Sequence, residues 1–350
     1  MGLEGLPALH PASDLPAMSR LRELLALYHR ERGGSLPETE AGVRELSAMF
    51  NGVTPHKPGY LAAGRLRRAY VHYYLPVNAE KVARVLAELD AYAPLPERPR
   101  VLDFGCGPGT AAVALLLRRA AADLTLVDVV DEALDDARWF ARQLGAEPRL
   151  AHEPPAGEKF DLILAANVFS ETPAKLEDLL ADRGHLVVIE PALKAATRRL
   201  MEWRDRLAAD GYTIAAPCLG QTRCPMLERD DLWCHMDVAW PRPAGVAEID
   251  RRVGPTKETL KYSYMVVTKK GRTLADLGGD VRVVSNLHKE KGKAWAWVCG
   301  KQGPLCRAEV LTRHRSDATA AFFHAERGDV LKLKVEGGFA RSEGPVERVP

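Results

Sequence analysis

The sequence predicts an α/β protein: a parallel, doubly wound sheet preceded by a helical region and followed by a small β-rich unit. Three observations predict it. From Val101 onward, short apolar runs alternate with helical segments, which marks a parallel sheet with crossover helices. The first run opens into a glycine-rich loop, Gly105-Cys106-Gly107-Pro108-Gly109. Charge is divided unevenly: residues 1–100 carry a net +2, residues 101–250 a net −9, and residues 251–350 a net +9.

The chain has 350 residues, 46% of them hydrophobic and 27% charged. That suits two or three domains with real cores and argues against a disordered chain. Six cysteines are too few for a disulfide scaffold. No run approaches the ~20 apolar residues that would cross a bilayer. The opening MGLEGLPALHPASDLP has neither a basic segment nor a long apolar one. A targeting peptide is therefore not expected, and the expectation is a soluble, cytoplasmic protein that does not engage membranes.

Residues 1–98 read as helical. Leu21, Leu24, Leu25 and Tyr28 share one helical face, and Val82, Val85, Leu86 and Leu89 repeat the spacing behind Asn78, a candidate N-cap. Between them, Arg65–Tyr74 mixes Arg with Tyr. It reads either as a helix with a solvated basic face or as an RNA-contacting helix on which Tyr stacks bases. Residues 93–100, APLPERPR, read as a linker.

Residues 99–270 form the sheet unit. The strands expected are Val101–Phe104, Leu124–Val127, Leu162–Ala166 and His185–Ile189. A long amphipathic helix follows, with Leu193, Ala196, Leu200, Trp203 and Leu207 on one face. Tyr212–Ala216 and Tyr262–Val267 read as two more strands, and 217–261 as an irregular, cysteine-rich insertion. Residues 271–350 hold short β-like runs (Val281–Val284, Ala294–Val298, Ala308–Leu311, Val330–Val335) and form the basic C-terminal appendage.

The glycine loop is the sharpest motif. Glycines permit positive φ and let backbone approach a ligand with no Cβ in the way. A dinucleotide fingerprint would read G-x-G-x-x-G. Here the third glycine comes one residue early and Asp103 precedes the loop. That form resembles motif I of class I S-adenosylmethionine (SAM)-dependent methyltransferases, whose fold is a Rossmann-like sheet. The resemblance implies SAM as cofactor, with Asp103 beside its cationic amino group and Gly105, Gly107 and Gly109 beneath it. Asp128 ends the next strand, where a carboxylate can accept the ribose hydroxyls. Asn167 follows the run Leu162–Ala166, at the edge that faces cofactor and substrate, and is a further candidate. The plain alternative for Asn167 and Glu171 is loop capping. Amine methyltransferases often carry Pro-Pro after this Asn. The chain lacks it, so no catalytic group is assigned.

Cys218, Cys224 and Cys234 lie within 17 residues, and Cys299 follows in Trp297-Val298-Cys299-Gly300. Clustered thiols in a reducing compartment point to metal. Four thiolates suit zinc or an iron–sulfur cluster. The wide spacing without C-x₂-C pairs fits a cluster better than a zinc ribbon. His235 could replace one thiol in a zinc site. Structural cysteines, or Cys218 as a nucleophile toward a cytosine ring, are the alternatives. Cys106 and Cys306 read as bystanders.

With these residues in view, the chain resembles the bacterial and mitochondrial family of methyltransferase-like proteins of the small ribosomal subunit. The likeness runs over about residues 60–335, through VLDFGCGPGT, FDLILAANVFSE, VVIEPA, GYTIAAPC, RCP, LWCH, KYSYMVV and WVCGKQG. It implies a [4Fe–4S] site on Cys218, Cys224, Cys234 and Cys299. It also implies action on the immature small subunit or its rRNA during assembly, by a protein that is monomeric when free. Where the family has Pro-His after the first cysteine, this chain has Leu219-Gly220. A ribosome-assembly factor that binds rRNA without chemistry and a small-molecule methyltransferase are the rival functions.

Overall fold

The structure is a computed structural model that describes residues 15–119, 121–169, 175–254, 257–301, 305–333, 339–341 and 345–349. Four helices come first: α1 (Leu15–Arg32), α2 (Leu36–Phe50), α3 (Gly64–Ala69) and α4 (Leu75–Tyr92). Ser35 caps α2 through a reciprocal bond with Glu38, which satisfies two otherwise orphaned donors. A π-helical turn, Tyr70–Tyr74, joins α3 to α4 without a break. Asn78 is therefore not an N-cap: it lies buried inside α4 and donates to the Tyr70 hydroxyl at 3.2 Å.

Next come β1 (Arg100–Phe104), α5 (Thr110–Arg118), β2 (Asp123–Val127), α6 (Asp131–Gln143), β3 (Arg149–Ala151), β4 (Phe160–Ala166), β5 (Leu180–Pro191), α7 (Lys194–Ala209), β6 (Thr213–Ala216), β7 (Met236–Ala239), α8 (Ala244–Val253) and β8 (Thr259–Thr268). The sheet order is β3-β2-β1-β4-β5-β8-β6, with β7 added beside β8. The strands from β3 to β5 are parallel, and β8 runs antiparallel to both β5 and β6. This is the α/β, Rossmann-like methyltransferase arrangement. Its strand order reverses between β1 and β4, and ligands of such sheets bind outside the carboxyl ends of the strands at that point.

The core strands are apolar throughout: Val101, Leu102, Leu162, Ile163 and Val188 are completely or almost completely buried. Strands covered on both faces lose the alternation of half-buried ones, which is why they read as continuous runs in the sequence. Two readings are corrected. Leu193 is not on the buried face of α7 but precedes it, 44% exposed. The 217–261 segment is not irregular throughout, since it contains β7 and α8.

A second sheet follows: β9 (Val281–Val283), β10 (His288–Glu290), β11 (Lys293–Gly300), β12 (Cys306–Leu311), α9 (Ala320–Phe323), β13 (Val330–Lys332), β14 (Phe339–Arg341) and β15 (Glu347–Arg348). Its order is β14-β12-β11-β9-β13-β15, with β10 on β11. Val330 and Leu274 lie in the same apolar cluster as α4 and β8, so this sheet is packed onto the main body. No helix among the described residues is long and apolar enough to cross a membrane.

The N-terminal helices dock through charge. Asp136 of α6 is 1% exposed and accepts from the Tyr28 hydroxyl and from Arg67 Nε, each at 2.7 Å. Tyr70, Tyr73 and Tyr74 are buried, so the Arg65–Tyr74 stretch does not offer its tyrosines for base stacking on an outer face. Two of its three arginines are engaged too, Arg65 with Glu45 and Arg67 with Asp136.

Candidate functional site

A cavity of about 1030 Å³ opens at the carboxyl edge of the sheet. Asp103, Gly105, Gly107, Asp128 and Asn167 all line it. Gly109, the remaining cofactor candidate, does not: it starts α5 and packs on α6, where a Cβ would stand 3.0 Å from Ala137 Cα. Gly105 and Gly107 have φ of 64° and 50°, a region in which L-residues pay for their Cβ. A Cβ on Gly105 would come within 2.2 Å of Val168 Cγ2, and one on Gly107 within 3.3 Å of Leu61 Cδ1. The first glycine thus lets the β4 edge close over the loop. The second lets the N-terminal helices close from above.

Both acids support the loop. Asp128 accepts from the Gly107 amide at 2.8 Å and from the Val130 amide at 3.0 Å. Asp103 accepts from the Ala112 amide of α5 at 2.9 Å. Burial pushes the Asp103 carboxyl up to about 7, with Asp128 adding a smaller push in the same direction. Burial raises Asp128 as well. Two carboxyl groups destabilised as anions suit a cationic ligand.

Asn167 has φ of 61°, the one positive value outside glycine among the described residues. Such a conformation costs about 1 kcal/mol or more and persists where the surroundings enforce it. Here its amide donates to Ile189 O at 2.7 Å, while Glu190 accepts from the next amide but one, Phe169, at 3.0 Å. Glu171 lies outside the described residues.

The N-terminal helices roof the cavity, which the sequence reading did not anticipate. Phe50, Tyr60, Tyr70, Tyr74 and Lys81 face into it. The π-helical turn carries Tyr70 and Tyr74 on one stacked pair of rings, 5.6 Å apart. The signal was present: aromatic residues at i, i+3 and i+4 mark a buried helical face.

A separate, small cavity of about 70 Å³ is lined by Cys218, Cys224, Cys234 and Cys299. Cys218 follows β6, Cys224 caps a 3₁₀ turn at Pro225–Glu228, Cys234 precedes β7 and Cys299 lies on β11. Arg204 and Asp205 shape the loop, through bonds from Arg204 to Gly220 O at 2.7 Å and from the Cys224 amide to Asp205 at 3.0 Å. Gly220 is needed here, since a Cβ would come within 2.3 Å of Lys301 O. Burial and the neighbouring thiols push Cys224 up to about 12 and Cys234 up to about 11. Among the described residues, however, no group of three or more His, Cys, Asp or Glu stands in an arrangement ready to hold a metal ion. His235 does not line this cavity; its ring bonds to Trp233 O at 3.1 Å. Cys306 is buried in the second sheet, and Cys106 lines the large cavity.

Comparison with known proteins decides the family. The profile described as mitochondrial small ribosomal subunit Rsm22 matches residues 66–332. The chain belongs to the Rsm22 family. Among curated proteins it is similar to the biotin biosynthesis bifunctional protein BioCD of Bordetella avium, with 33% identity over 174 residues, 47% of this chain and 37% of that protein. The release factor glutamine methyltransferase of Bacillus subtilis is 27% identical over 199 residues, 55% of this chain and 59% of that one. The ribosomal protein L11 methyltransferase of Shewanella sediminis is 32% identical over 109 residues, 29% of this chain and 37% of that one. The chain thus spans between about a third and three fifths of the length of these relatives. Among solved structures, a SAM-dependent methyltransferase from Thiobacillus denitrificans with S-adenosylhomocysteine aligns with TM-score 0.34 and 16% identity, covering 54% of this chain and 90% of that one. The ribosomal protein L11 methylase of Lactobacillus delbrueckii aligns with TM-score 0.34 and 16% identity, covering 55% and 79%. The strand order of the chain itself defines its fold.

Proposed function

We propose that this Rsm22-family protein binds SAM in the large cavity and acts as a methyltransferase on small-subunit rRNA during assembly. One observation carries the reading: the glycine loop, Asp103, Asp128 and Asn167 meet in one cavity at the point where the strand order reverses. Gly105 and Gly107 let Val168 and Leu61 close around the loop, where a Cβ would crowd them. Asp103 would hold the amino group and Asp128 the ribose hydroxyls. The bound cofactor would supply a methyl group on a sulfonium. The chain's own task is positioning, which can account for much of a barrier. The residues 1–98, 99–270 and 271–350 would serve as roof, cofactor platform and basic RNA-facing unit. The test is calorimetric titration of the full chain with SAM and S-adenosylhomocysteine, followed by RNA crosslinking in the cell. A well-folded chain that binds neither nucleoside refutes the cofactor reading. Crosslinks confined to RNAs other than the small subunit's refute the partner.

The four-cysteine cavity would hold a [4Fe–4S] cluster. Four thiols from four segments line it, and among the described residues no carboxylate does, whereas Arg204 and Arg282 do. Such cations would offset the charge of four thiolates. Binding would tie β6, β7 and β11 together, since metal affinity and folding are coupled. Iron and sulfide analysis after anaerobic purification tests it. Stoichiometric zinc without iron would replace the cluster by zinc, and Cys224→Ser should lose the metal in either case. A second reading is a binding factor without chemistry, favoured by the absence of Pro-Pro after Asn167. Methyl transfer to immature small subunits would exclude it.

A further inference from the structure

We propose that Lys81 and Lys257, with Lys261 and Arg199 at the rim, form an anion-binding subsite that takes a phosphate of the substrate nucleotide. The proposal rests on the cofactor reading of the glycine-loop half of the cavity and assigns the other half. Four cations reach this cavity from three places in the fold: Lys81 from α4, Arg199 from α7, and Lys257 and Lys261 from the approach to β8 and its first residues. Tyr262 pairs with Pro191 at the end of β5, so the β8 cations sit at the carboxyl edge, where substrate enters such sheets. Of the acids that line the cavity, Asp103 and Asp128 belong to the glycine-loop half, where backbone amides hold them, and Glu153 follows β3; none is paired with these cations among the described residues.

The cations are poorly compensated. Lys81 Nζ donates to Asn78 Oδ1, a neutral group, at 3.0 Å. Among the described residues, Lys257 Nζ and the Arg199 guanidinium have no hydrogen-bond or ion-pair partner. Asp250 is near Lys257 but is committed to the Tyr73 hydroxyl, Arg242 and the Lys257 amide. Lys261 alone has a carboxylate, Asp237 at 3.5 Å, at an exposed position. Lys81 and Lys257 are both partly buried and repel each other, and Lys81 is pushed down to about 7 by burial and by Lys257. An anion between them would offset that repulsion and recover charge-assisted hydrogen bonds.

The neighbouring wall identifies the anion. Phe50 stands 5.7 Å from Tyr60 and 5.1 Å from Tyr74, edge to face, and all three rings line the cavity. Aromatic faces beside a cationic rim fit a base and its phosphate. A volume of about 1030 Å³ lies at the upper end of the range for small-molecule sites, which leaves room for a nucleotide beside a cofactor.

The experiment is calorimetry on the full chain with S-adenosylhomocysteine present, comparing a nucleoside 5′-monophosphate with its parent nucleoside. Wild type should prefer the monophosphate by about tenfold or more. Lys257→Gln should abolish the preference and leave S-adenosylhomocysteine affinity within about twofold. The exposed Arg199→Gln should reduce the preference, which covers the case of a poorly folding Lys257 variant. Lys81→Gln removes one of two repelling charges, so thermal stability of the ligand-free chain should stay level or rise. No preference in wild type, or an undiminished one in Lys257→Gln, overturns the proposal. So does a tenfold loss of S-adenosylhomocysteine affinity in Lys257→Gln, which would give the lysines to the cofactor's carboxylate. A wild type that keeps the monophosphate preference without binding S-adenosylhomocysteine would retain this subsite and remove the cofactor reading.

Discussion

Gly105→Ala isolates the contact that joins the glycine loop to the β4 edge. Two costs add. Left-handed backbone with a Cβ costs about 1–2 kcal/mol, and φ is 64° here. The new methyl would also lie 2.2 Å from Val168 Cγ2 and 2.7 Å from Val168 Cβ, an overpacking worth about 1–3 kcal/mol. Stiffening of the unfolded chain returns about 0.4–1 kcal/mol. The expected net loss is about 3 kcal/mol. Gly157 supplies the control: φ is 74° and nothing lies within 4 Å of its built Cβ. Gly157→Ala should therefore lose only the backbone part, about 1 kcal/mol. Val168→Ala removes the worst contact and Val168→Gly the rest. In those backgrounds the cost of Gly105→Ala should fall stepwise toward that of Gly157→Ala, a coupling read by a double-mutant cycle. The assay is urea unfolding followed by tryptophan fluorescence. Equal costs for the two Gly→Ala changes, or a Gly105→Ala cost unaffected by Val168, would refute the packing of Val168 over the loop.

Three other outcomes are expected. Burial pushes the Asp103 carboxyl from 3.8 to about 7, so the carboxylate that would meet a cationic amino group forms as pH rises. Affinity for S-adenosylhomocysteine should increase between pH 6 and about 8 and then level, and Asp103→Asn should flatten the profile; a flat wild-type profile contradicts this. The ligand-free chain shows the opposite sign, because its folded carboxyl holds a proton that the unfolded one releases, so stability falls as pH rises from about 4 to about 7 and then levels. Asn167→Gly should leave stability level or about 1 kcal/mol higher, since glycine accepts the positive φ, while cofactor affinity falls; loss of stability would show that the side chain and not the backbone holds the turn. Asp136→Ala should cost about 3–5 kcal/mol by stranding Tyr28 and Arg67, and the N-terminal helices should become the first segment cut in limited proteolysis; an unchanged digest would mean that apolar packing alone docks them.

The sheet and the loop were legible because their signals are local. Val101–Phe104 and Leu162–Ala166 are continuous apolar runs, and the acid-then-glycine pattern needs only ten neighbouring residues. What failed depended on distant partners. β3 is three residues long and only one of its flanking strands, β2, holds it, so no run announces it. β8 reads as a strand, but nothing local says that it inserts antiparallel between β5 and β6. Asn78 looked like a cap because it stands just before the apolar face of Val82, Val85, Leu86 and Leu89, yet the π-helical turn carries the helix through from Tyr70. α8 could have been found: Val246, Ile249 and Val253 hold the i, i+3, i+7 spacing behind a Pro-rich start.

One helix connects the two candidate sites. α4 presents Asn78 and Lys81 to the large cavity. Two turns later, about 10 Å along the axis, Glu88 accepts from Arg282 Nη2 at 2.8 Å and from the Tyr264 hydroxyl. Arg282 also donates to the Tyr264 hydroxyl at 2.6 Å and lines the cysteine cavity. Glu88, Tyr264 and Arg282 come from the N-terminal helices, the main sheet and the second sheet. Arg282 is 3% exposed, and a charge so placed is costly unless its partners hold still. The three units therefore meet at one buried ion pair beside the thiols, and the same helix carries that constraint to the roof of the cavity. The charge split does not explain this contact: the buried arginine of the basic terminal third pairs with Glu88 of the N-terminal helices and not with an acid of residues 101–250.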